Sequence, residues 1–222
     1  MSYYPILVDL KGRKVLVVGG GSVAQRKIDT LLECSANVAL VSMDLNPTLQ
    51  EYVDTGKIEY LGREFNEGYM DKVFMVIAAT DDSELNHRIS RAAEEKNILV
   101  NAVDQPADCN FIVPSIVKRG DLLIAISTSG KSPAFAKRIR KKLTDQFGIE
   151  YEYFLRMMGR IRKEVLSLGY NQDKNSRIFN ELVDYSIFEA IKKEDWQELS
   201  LILSGILNRR ITVNDIKNYI KD

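Results

Sequence analysis

The sequence has little of the residues that build most metal sites, hydrolytic triads and disulfide frameworks. It contains one histidine, His87, and two cysteines, Cys34 and Cys109, in 222 residues. A single histidine excludes a metal site that needs two imidazoles, and it disfavours a hydrolytic Ser-His-Asp triad. Two distant cysteines form neither a disulfide framework nor a zinc cluster, so we expect no resident metal and a reducing, cytoplasmic location.

The sequence also lacks an excess of charge of either sign and any long apolar run. Its 31 Lys and Arg residues balance 31 Asp and Glu residues, so bulk charge predicts neither a nucleic acid nor an anionic membrane as a partner. No apolar run approaches the roughly 18 residues of a membrane span, and residues 1–10 lack a secretory-signal pattern. This composition is typical of a soluble globular protein.

Short apolar runs alternate with longer helical patterns up to residue 100. The runs at residues 15–18, 37–41, 58–61, 73–78 and 98–100 predict strands, and residues 23–33, 47–54, 67–71 and 83–95 predict helices or helical turns. The first and fourth runs are apolar throughout, as strands covered on both faces of a parallel sheet must be. The pattern therefore predicts an α/β fold with a doubly wound, Rossmann-type parallel sheet.

The pattern changes after residue 101. Residues 104–115 predict a loop followed by a short strand that ends at Pro114, and residues 122–127 predict a further strand. Pro133 is suited to the first position of a basic helix that runs to about Phe147. From residue 149 onward nearly all of the sequence is helical in pattern, with breaks near 169–173 and 205–212.

A glycine-rich turn stands between the first strand and the first helix. Residues 19–24 match the pattern G-x-G-x-x-A. The first glycine permits the tight turn, the second lets a pyrophosphate approach the backbone, and the alanine keeps the helix close to the strand. The residues expected to bind a dinucleotide here are Gly19, Gly21, Ser22, Val23 and Ala24. The alternative is a tight turn that binds nothing.

The ends of the second and fourth strands are the other parts of this predicted dinucleotide site. Ser42, Met43 and Asp44 follow the second strand, and either Ser42 or Asp44 is expected to contact the adenosine ribose. No Arg or Lys lies between residues 42 and 46, which favours NAD over NADP. Ala79 and Thr80 are small enough to leave room for the nicotinamide half, or they merely help a helix to pack.

Asp104 follows the fifth strand and is the candidate acid or base. A side chain in this position projects from the carboxyl edge of the sheet, where it can act on a substrate beside the coenzyme. Because aspartate is a common turn residue before a proline such as Pro106, the alternative is that Asp104 only forms a turn. Weaker candidates of the same kind are Asp81, Asp82 and Asp108, and His87 is expected to be a surface residue.

A basic stretch follows the second strand pattern of the C-terminal half. Residues 137–142 carry five positive charges on one predicted helix, and the loop before it contains Lys131 and Ser132. The loop is not a phosphate-binding P-loop, because its glycine spacing and context are wrong. The basic stretch is either a solvated helix face or part of a surface that binds carboxylates.

Five blocks of sequence, at residues 19–27, 78–82, 101–104, 111–115 and 125–133, occur in the same order in a known family. Over about residues 3–150 the chain resembles precorrin-2 dehydrogenases and the dehydrogenase/ferrochelatase module of siroheme synthases. The resemblance implies NAD-dependent oxidation of precorrin-2 to sirohydrochlorin in siroheme biosynthesis, and it leaves open a second activity that inserts ferrous iron. It also implies a homodimer in which Asp104 is the acid/base of both reactions.

The same resemblance implies a division of the chain and a role for the basic stretch. Residues 1–113 would form the NAD-binding domain, 114–148 a dimerisation segment and 149–222 a helical C-terminal domain. The carboxylates of a tetrapyrrole would be ligands for Lys131, Ser132, Arg138 and Arg140. Two other functions compete: a non-catalytic NAD-sensing regulatory module, and an oxidoreductase of small hydroxy acids, which often uses a histidine that this site lacks.

Overall fold

Five parallel strands form the sheet of the N-terminal unit, which ends at Val113. They are β1 (Lys14–Val18), β2 (Asn37–Val41), β3 (Glu59–Gly62), β4 (Met75–Ala78) and β5 (Leu99–Ala102). The computed structural model describes residues 3–221. The order β3-β2-β1-β4-β5 reverses direction between β1 and β4, at the switch point where such sheets bind ligands. The predicted Rossmann-type sheet is confirmed, with strand ends displaced by one or two residues.

Both faces of this sheet are buried. Along β1, Val15 and Val17 point into one apolar core, whereas Leu16 and Val18 point into the other. Helices α1 (Ser22–Glu33) and α2 (Pro47–Asp54) cover the first face, and α3 (Ser83–Glu95) covers the second. Each fully buried aliphatic side chain stabilises the fold by about 1.5–3 kcal/mol, which explains the uninterrupted apolar sequence of these strands.

The short strand that was expected to end at Pro114 is absent, and that prediction is wrong. Residues 109–113 form no strand in the described chain. The side chain of Asn110 instead accepts a hydrogen bond from the Val100 N–H (2.8 Å) and donates one to the Ile98 carbonyl (2.9 Å). The Asn110 N–H also donates to the Val100 carbonyl (3.1 Å), so residues 109–113 contact the sheet through isolated bonds of one residue and form no continuous ladder with it.

The second unit begins at Pro114 with a two-stranded antiparallel hairpin. Its strands are β6 (Ser115–Arg119), which sequence analysis missed, and β7 (Leu122–Ile126). Helix α4 (Pro133–Gln146) packs on both strands and begins at the expected proline. Its N-cap is Ser132, whose hydroxyl accepts a hydrogen bond from the Phe135 N–H.

Five further helices of the second unit share one apolar core. They are α5 (Glu150–Ser167), α6 (Gln172–Glu181), α7 (Tyr185–Lys192), α8 (Trp196–Leu207) and α9 (Val213–Ile220). The breaks near 169–173 and 205–212 occur as expected, and two more separate α6, α7 and α8. The last four helices each begin with a side chain that accepts a hydrogen bond from a first-turn N–H: Asn171, Asp184, Asp195 and Thr212.

Candidate functional site

Gly19 and Gly20 let three loops meet at the carboxyl edge of the parallel sheet. Gly19 has a φ of +120°, and a Cβ there would lie 2.2 Å from the Ala79 carbonyl oxygen. A Cβ on Gly20 would lie 2.0 Å from the Asp44 carbonyl oxygen and 2.6 Å from the Ser42 Oγ. Both glycines are therefore required by close backbone approach. The role of Gly20 is not predictable from the sequence, because nothing local shows that the loop after β2 crosses it.

Gly21 differs from its two neighbours because its surroundings are open. A Cβ there would meet no atom within 4 Å, and its φ of −84° suits any residue. Gly21 is the N-cap of α1 and has no side chain with which to cap it, so no capping side chain binds the first N–H groups of the helix, from Ser22 to Ala24. Unpaired N–H groups at the positive end of a helix dipole suit a diphosphate, so the turn fits a dinucleotide coenzyme.

The loop that follows β2 lies directly beside the glycine turn. The Ser42 hydroxyl donates to the Asp44 carbonyl (2.7 Å), and the Tyr60 hydroxyl donates to the Ser42 carbonyl (2.8 Å). The Asp44 carboxylate is 96 % exposed, and Met43 is also exposed. The structure thus places the three predicted ribose-site residues next to the turn that is expected to bind the diphosphate.

A basic residue also lies at this loop, although none occurs between residues 42 and 46. Arg63 Nη2 is 3.9 Å from Asp44 Oδ1. Strand register explains this proximity, because Val41 pairs with Gly62 and the segments that follow them leave adjacent strands at the same level. The sequence of the β2 loop alone does not show this arginine. The sign of it is that Arg63 directly follows β3, the neighbouring strand of the sheet.

The end of β4 is held by a buried asparagine of α3. Asn86 is 2 % exposed; its amide nitrogen donates to the Thr80 carbonyl (2.9 Å), and its oxygen accepts from the Thr80 hydroxyl (2.8 Å). Asp82 caps α3 by accepting hydrogen bonds from two backbone N–H groups. Ala79 and Thr80 thus lie beside Gly19 with a fixed geometry, and Asp82 has a structural role. In the sequence, the sign of this role is an amide residue, Asn86, within a segment predicted to be helical.

Asp104 lies two residues beyond the end of β5, on the same sheet edge. It is exposed, and none of residues 3–221 forms a hydrogen bond or an ion pair with its carboxylate. Its φ of +60° is in the left-handed region, which aspartate tolerates better than most residues. The neighbouring Val103 N–H donates to the Ala78 carbonyl (2.9 Å), which ties this turn to β4. The carboxylate is therefore accessible on a turn that the sheet positions.

Cys109 holds the two sides of the Asp104 turn together. Its sulfur is 3.2 Å from the Ala102 carbonyl and 3.3 Å from the Gln105 carbonyl, and it donates to these oxygens. Burial raises the pKa of the Cys109 thiol, so the group remains protonated as a donor. Burial disfavours the charged form of Lys27 on α1 as well, and for an amine this lowers the pKa. The charge of Arg26 is a smaller cause of the same shift. The thiol has a structural role beside the candidate catalytic carboxylate.

His87 and Asp108 also fix this region. His87 Nδ1 lies 2.7 Å from Asp108 Oδ1, and the Ser90 hydroxyl donates to the Asp108 carbonyl (2.7 Å). Both partners sit on α3, so they anchor the 3₁₀ turn Pro106–Asp108 to that helix. His87 is largely at the surface, as expected, and Asp108 is engaged in packing the loop. Of the four carboxylates considered at this edge, Asp104 and Asp81 have no partner among the described residues.

A separate basic cavity of about 690 Å³ lies within the second unit, between the hairpin and α4. Six of its lining residues are basic: Lys118, Arg119, Lys137, Arg138, Arg140 and Lys141. The predicted residues Arg138 and Arg140 are among them, whereas Lys131 and Ser132 are not. Lys137 and Lys141 belong to the basic stretch considered above and with Ala134 follow the spacing of one helix face, whereas Lys118 and Arg119 of β6 had no predicted role.

The charge of this cavity is strongly one-sided. None of its described lining residues is acidic, and residues 114–148 contain eight basic and two acidic residues in a chain with no net charge. Arginine forks and lysines in a concave surface bind ligands with several carboxylates. Within residues 3–221 no cluster of three or more His, Cys, Asp or Glu side chains is arranged to hold a metal ion. No helix of that same range is long and apolar enough to cross a membrane.

Known protein families match a segment in each of the two units. The family described as "Putative NAD(P)-binding" matches residues 6–115, and the family described as "Sirohaem biosynthesis protein central" matches residues 119–146. Siroheme synthase 1 of Serratia proteamaculans is 43% identical over 165 residues, or 74% of this chain and 35% of that protein. Siroheme synthase 1 of Yersinia enterocolitica is 37% identical over 209 residues, or 92% of this chain and 44% of that protein.

A solved structure is similar along nearly the whole chain. The protein titled "SirC, precorrin-2 dehydrogenase" is 27% identical with a TM-score of 0.78, and the match covers 93% of this chain and 100% of that one. The chain spans less than half the length of the two siroheme synthases. It therefore corresponds to a part of those proteins and to the full length of the solved one.

Proposed function

This chain belongs to the siroheme synthase family that joins an NAD(P)-binding domain to a sirohaem biosynthesis central segment, and on that premise we propose that it is an NAD-dependent precorrin-2 dehydrogenase. The reaction is the oxidation of precorrin-2 to sirohydrochlorin in siroheme biosynthesis. The observation that carries this proposal is the similarity of the chain to a precorrin-2 dehydrogenase over that enzyme's full length.

The glycine turn supports the coenzyme part of the proposal. The N–H groups of Ser22, Val23 and Ala24 hold the diphosphate, with Gly21 leaving the space in which it lies. Residues of the loop after β2, Ser42 to Asp44, border the adenosine ribose, and Ala79 and Thr80 border the nicotinamide half. When bound, NAD supplies the acceptor for the hydride that the substrate loses.

The basic cavity supports the substrate part. Precorrin-2 is a flexible tetrapyrrole with carboxylates around its rim, and Arg138 and Arg140 bind carboxylates in two-pronged geometry. Lys137 and Lys141 on the same helix add positive charge that keeps such an anion in place. Lys131 and Ser132 stay candidates for substrate binding, with Ser132 acting chiefly as the cap of α4.

Asp104 is the proposed acid/base. As the substrate loses a hydride to the coenzyme it also loses a proton, and the unpaired carboxylate of Asp104 accepts that proton. The Cys109 sulfur and the Val103 N–H hold the turn, so the carboxylate is presented without a competing partner among the described residues. Such a carboxylate also has the chemistry to remove a pyrrole N–H proton when ferrous iron, as a substrate, enters the ring.

Four finer parts complete the proposal. The chain acts as a homodimer, residues 114–148 provide the dimerisation segment, residues 149–222 form a helical domain, and ferrous iron is a second substrate. The proposed location is the cytoplasm, whose reducing conditions suit the free thiols of Cys34 and Cys109. Sedimentation of the purified chain tests the dimer, and the deletion of residues 114–222 tests whether the sheet unit alone remains monomeric.

Turnover of the purified protein tests the main proposal. Precorrin-2 and NAD are mixed with the protein, and the formation of NADH and of sirohydrochlorin is followed by absorbance. We expect the two products to appear in equal amounts, and ferrous ion added afterwards to convert the sirohydrochlorin to siroheme. Binding of NAD with no oxidation would reject the enzyme and favour a regulatory NAD-sensing module, whereas oxidation without iron insertion would reject only the second activity.

A further inference from the structure

Arg119, the last residue of β6, differs from the other basic residues that line the basic cavity. It is partly buried, whereas the four basic lining residues of α4 are exposed. Its Nη1 donates to the Lys118 carbonyl (2.9 Å), and its Nη2 donates to the Thr144 carbonyl (2.9 Å). These two bonds fix the guanidinium group between the hairpin and the last turn of α4.

The positive charge of Arg119 is not compensated, because both of its acceptors are neutral carbonyl groups. No acidic side chain among residues 3–221 forms an ion pair with it. Glu152 of α5 packs against the end of the hairpin, since a Cβ on Gly120 would lie 2.5 Å from the Glu152 Cγ. Its carboxylate, however, binds Arg156 (2.5 Å). The two carbonyls use only part of the donors of a guanidinium group, so Arg119 can still bind an anion in the cavity.

A fixed arginine binds a carboxylate at a lower entropic cost than a mobile side chain does. An exposed lysine or arginine must give up rotamer freedom when it holds a ligand. Arg119 has already given up that freedom in the folded protein, and its planar group matches the two oxygens of a carboxylate. Partial burial also reduces the screening of its charge by water. These effects favour Arg119 over Arg138 and Arg140 as a carboxylate ligand.

We infer that Arg119 is the principal carboxylate anchor of the basic cavity and thereby holds the tetrapyrrole, while the exposed basic residues of α4 add a weaker attraction. This inference rests on the proposed function, which supplies the substrate. One substrate carboxylate binds the remaining N–H groups of the Arg119 guanidinium. The other carboxylates contact side chains of α4, whose positions can adjust to the ligand.

Equilibrium titration of the purified chain with sirohydrochlorin, in the absence of NAD, tests this inference through binding alone. Arg119→Gln should weaken the affinity by at least about tenfold, the effect of one charge-assisted contact. Arg138→Gln removes the same charge from an exposed side chain of the same cavity and should weaken the affinity by no more than about threefold. Lys142→Gln is the control for net charge, because Lys142 does not line the cavity, and it should leave the affinity unchanged.

Arg119 also joins the hairpin to α4, so the experiment must separate binding from a structural role. Arg119→Lys keeps the positive charge but loses the planar group, and its affinity should lie between those of wild type and Arg119→Gln. Its affinity should fall with rising salt as steeply as that of wild type, whereas that of Arg119→Gln should fall less steeply because one charge is missing. If the two variants have equal affinities and equal salt dependence, Arg119 only supports the fold and the inference is overturned.

A second probe, benzenehexacarboxylate, separates this inference from the function on which it rests, because it has several carboxylates but no tetrapyrrole ring. If wild type binds sirohydrochlorin and Arg119→Gln weakens binding no more than Arg138→Gln does, the inference is overturned and the proposed function stands. If wild type binds benzenehexacarboxylate through Arg119 but does not bind sirohydrochlorin, the carboxylate anchor stands and the proposed substrate fails. If wild type binds neither probe, both the inference and the proposed substrate fail.

Discussion

The first helix of the sheet unit and the last four helices of the second unit treat their free N–H groups in opposite ways. Helices α6 to α9 each begin with a side chain that accepts a hydrogen bond from the first turn. Helix α1 begins at Gly21, which supplies no such bond and has open space around it. A glycine in place of a capping side chain costs only a few tenths of a kcal/mol, so α1 leaves its first N–H groups without a side-chain cap at little cost in stability.

A similar contrast separates the charged groups of the two units. At the sheet edge, His87 and Asp108 bind each other, which leaves Asp104 as an accessible carboxylate without a partner in the described part of the chain. In the second unit, basic side chains gather around one cavity. The sheet edge thus holds an accessible carboxylate, whereas the second unit holds a concentration of positive charge. Variants at both kinds of group test this contrast.

Replacement of the unpaired carboxylate should have the largest effect. Asp104→Asn keeps the shape of the side chain and tolerates the positive φ, so the turn should persist while the proton acceptor is lost. We expect kcat for precorrin-2 oxidation to fall by about 10²–10⁴-fold, with NAD affinity unchanged by titration. Asp81→Asn is the control at the same edge and should retain activity. Normal turnover by Asp104→Asn would remove Asp104 from the mechanism.

Substitutions in the glycine turn should separate binding from folding. Gly21→Asp adds a side chain in open space, so the melting temperature should stay within a few degrees while NAD affinity falls at least about tenfold through repulsion of the diphosphate. Gly20→Ala should instead lower the free energy of unfolding by about 1–3 kcal/mol, because its Cβ meets the Asp44 carbonyl. Unchanged NAD affinity of Gly21→Asp would contradict the assignment of this turn.

Neutralising the cavity should change substrate binding alone. In Arg138→Gln with Arg140→Gln we expect the KM for precorrin-2 to rise by about tenfold and the KM for NAD to stay constant, because two carboxylate contacts are lost. Lys142→Gln removes a charge from the same helix without lining the cavity and is the matched control. If the double variant and the control variant change the KM for precorrin-2 equally, this helix does not bind the substrate and its basic face is only solvated.

Loss of a cap in the second unit should have the smallest effect. Thr212 and Asp215 form a reciprocal capping box at the start of α9, and Thr212→Ala should lower the free energy of unfolding by about 1 kcal/mol. The Thr212 hydroxyl lowers the pKa of Asp215, so the part of this difference that comes from the charged carboxylate is present above the ordinary carboxyl pKa and is lost as the pH falls below about 4. In denaturant titrations, the difference in the free energy of unfolding between wild type and Thr212→Ala should therefore be smaller at acidic pH than at neutral pH. A constant difference would contradict the role of the carboxylate.

Periodicity predicted those elements whose signals are local. The uninterrupted apolar runs of β1 and β4 and the proline at the start of α4 identified these segments, since burial on both faces and fixed proline φ depend on few neighbours. The expected strand before Pro114 failed because a strand also needs a partner. Asn110 takes up the backbone groups of β5 that such a partner would use. The hairpin strand β6 was missed because it is stabilised by pairing with β7, which the local pattern of residues 115–119 does not show.

By itself the sequence determined the alternation of strands and helices, the glycine turn and the order of the blocks that resemble a dehydrogenase. Each of these depends on residues close together in the chain. Only the tertiary structure decided that Gly20 passes beneath the Asp44 loop, that Arg63 stands beside Asp44, and that Lys131 lies apart from the basic cavity. Those relations join residues brought together by strand register and helix packing, which act across distances that local pattern does not encode.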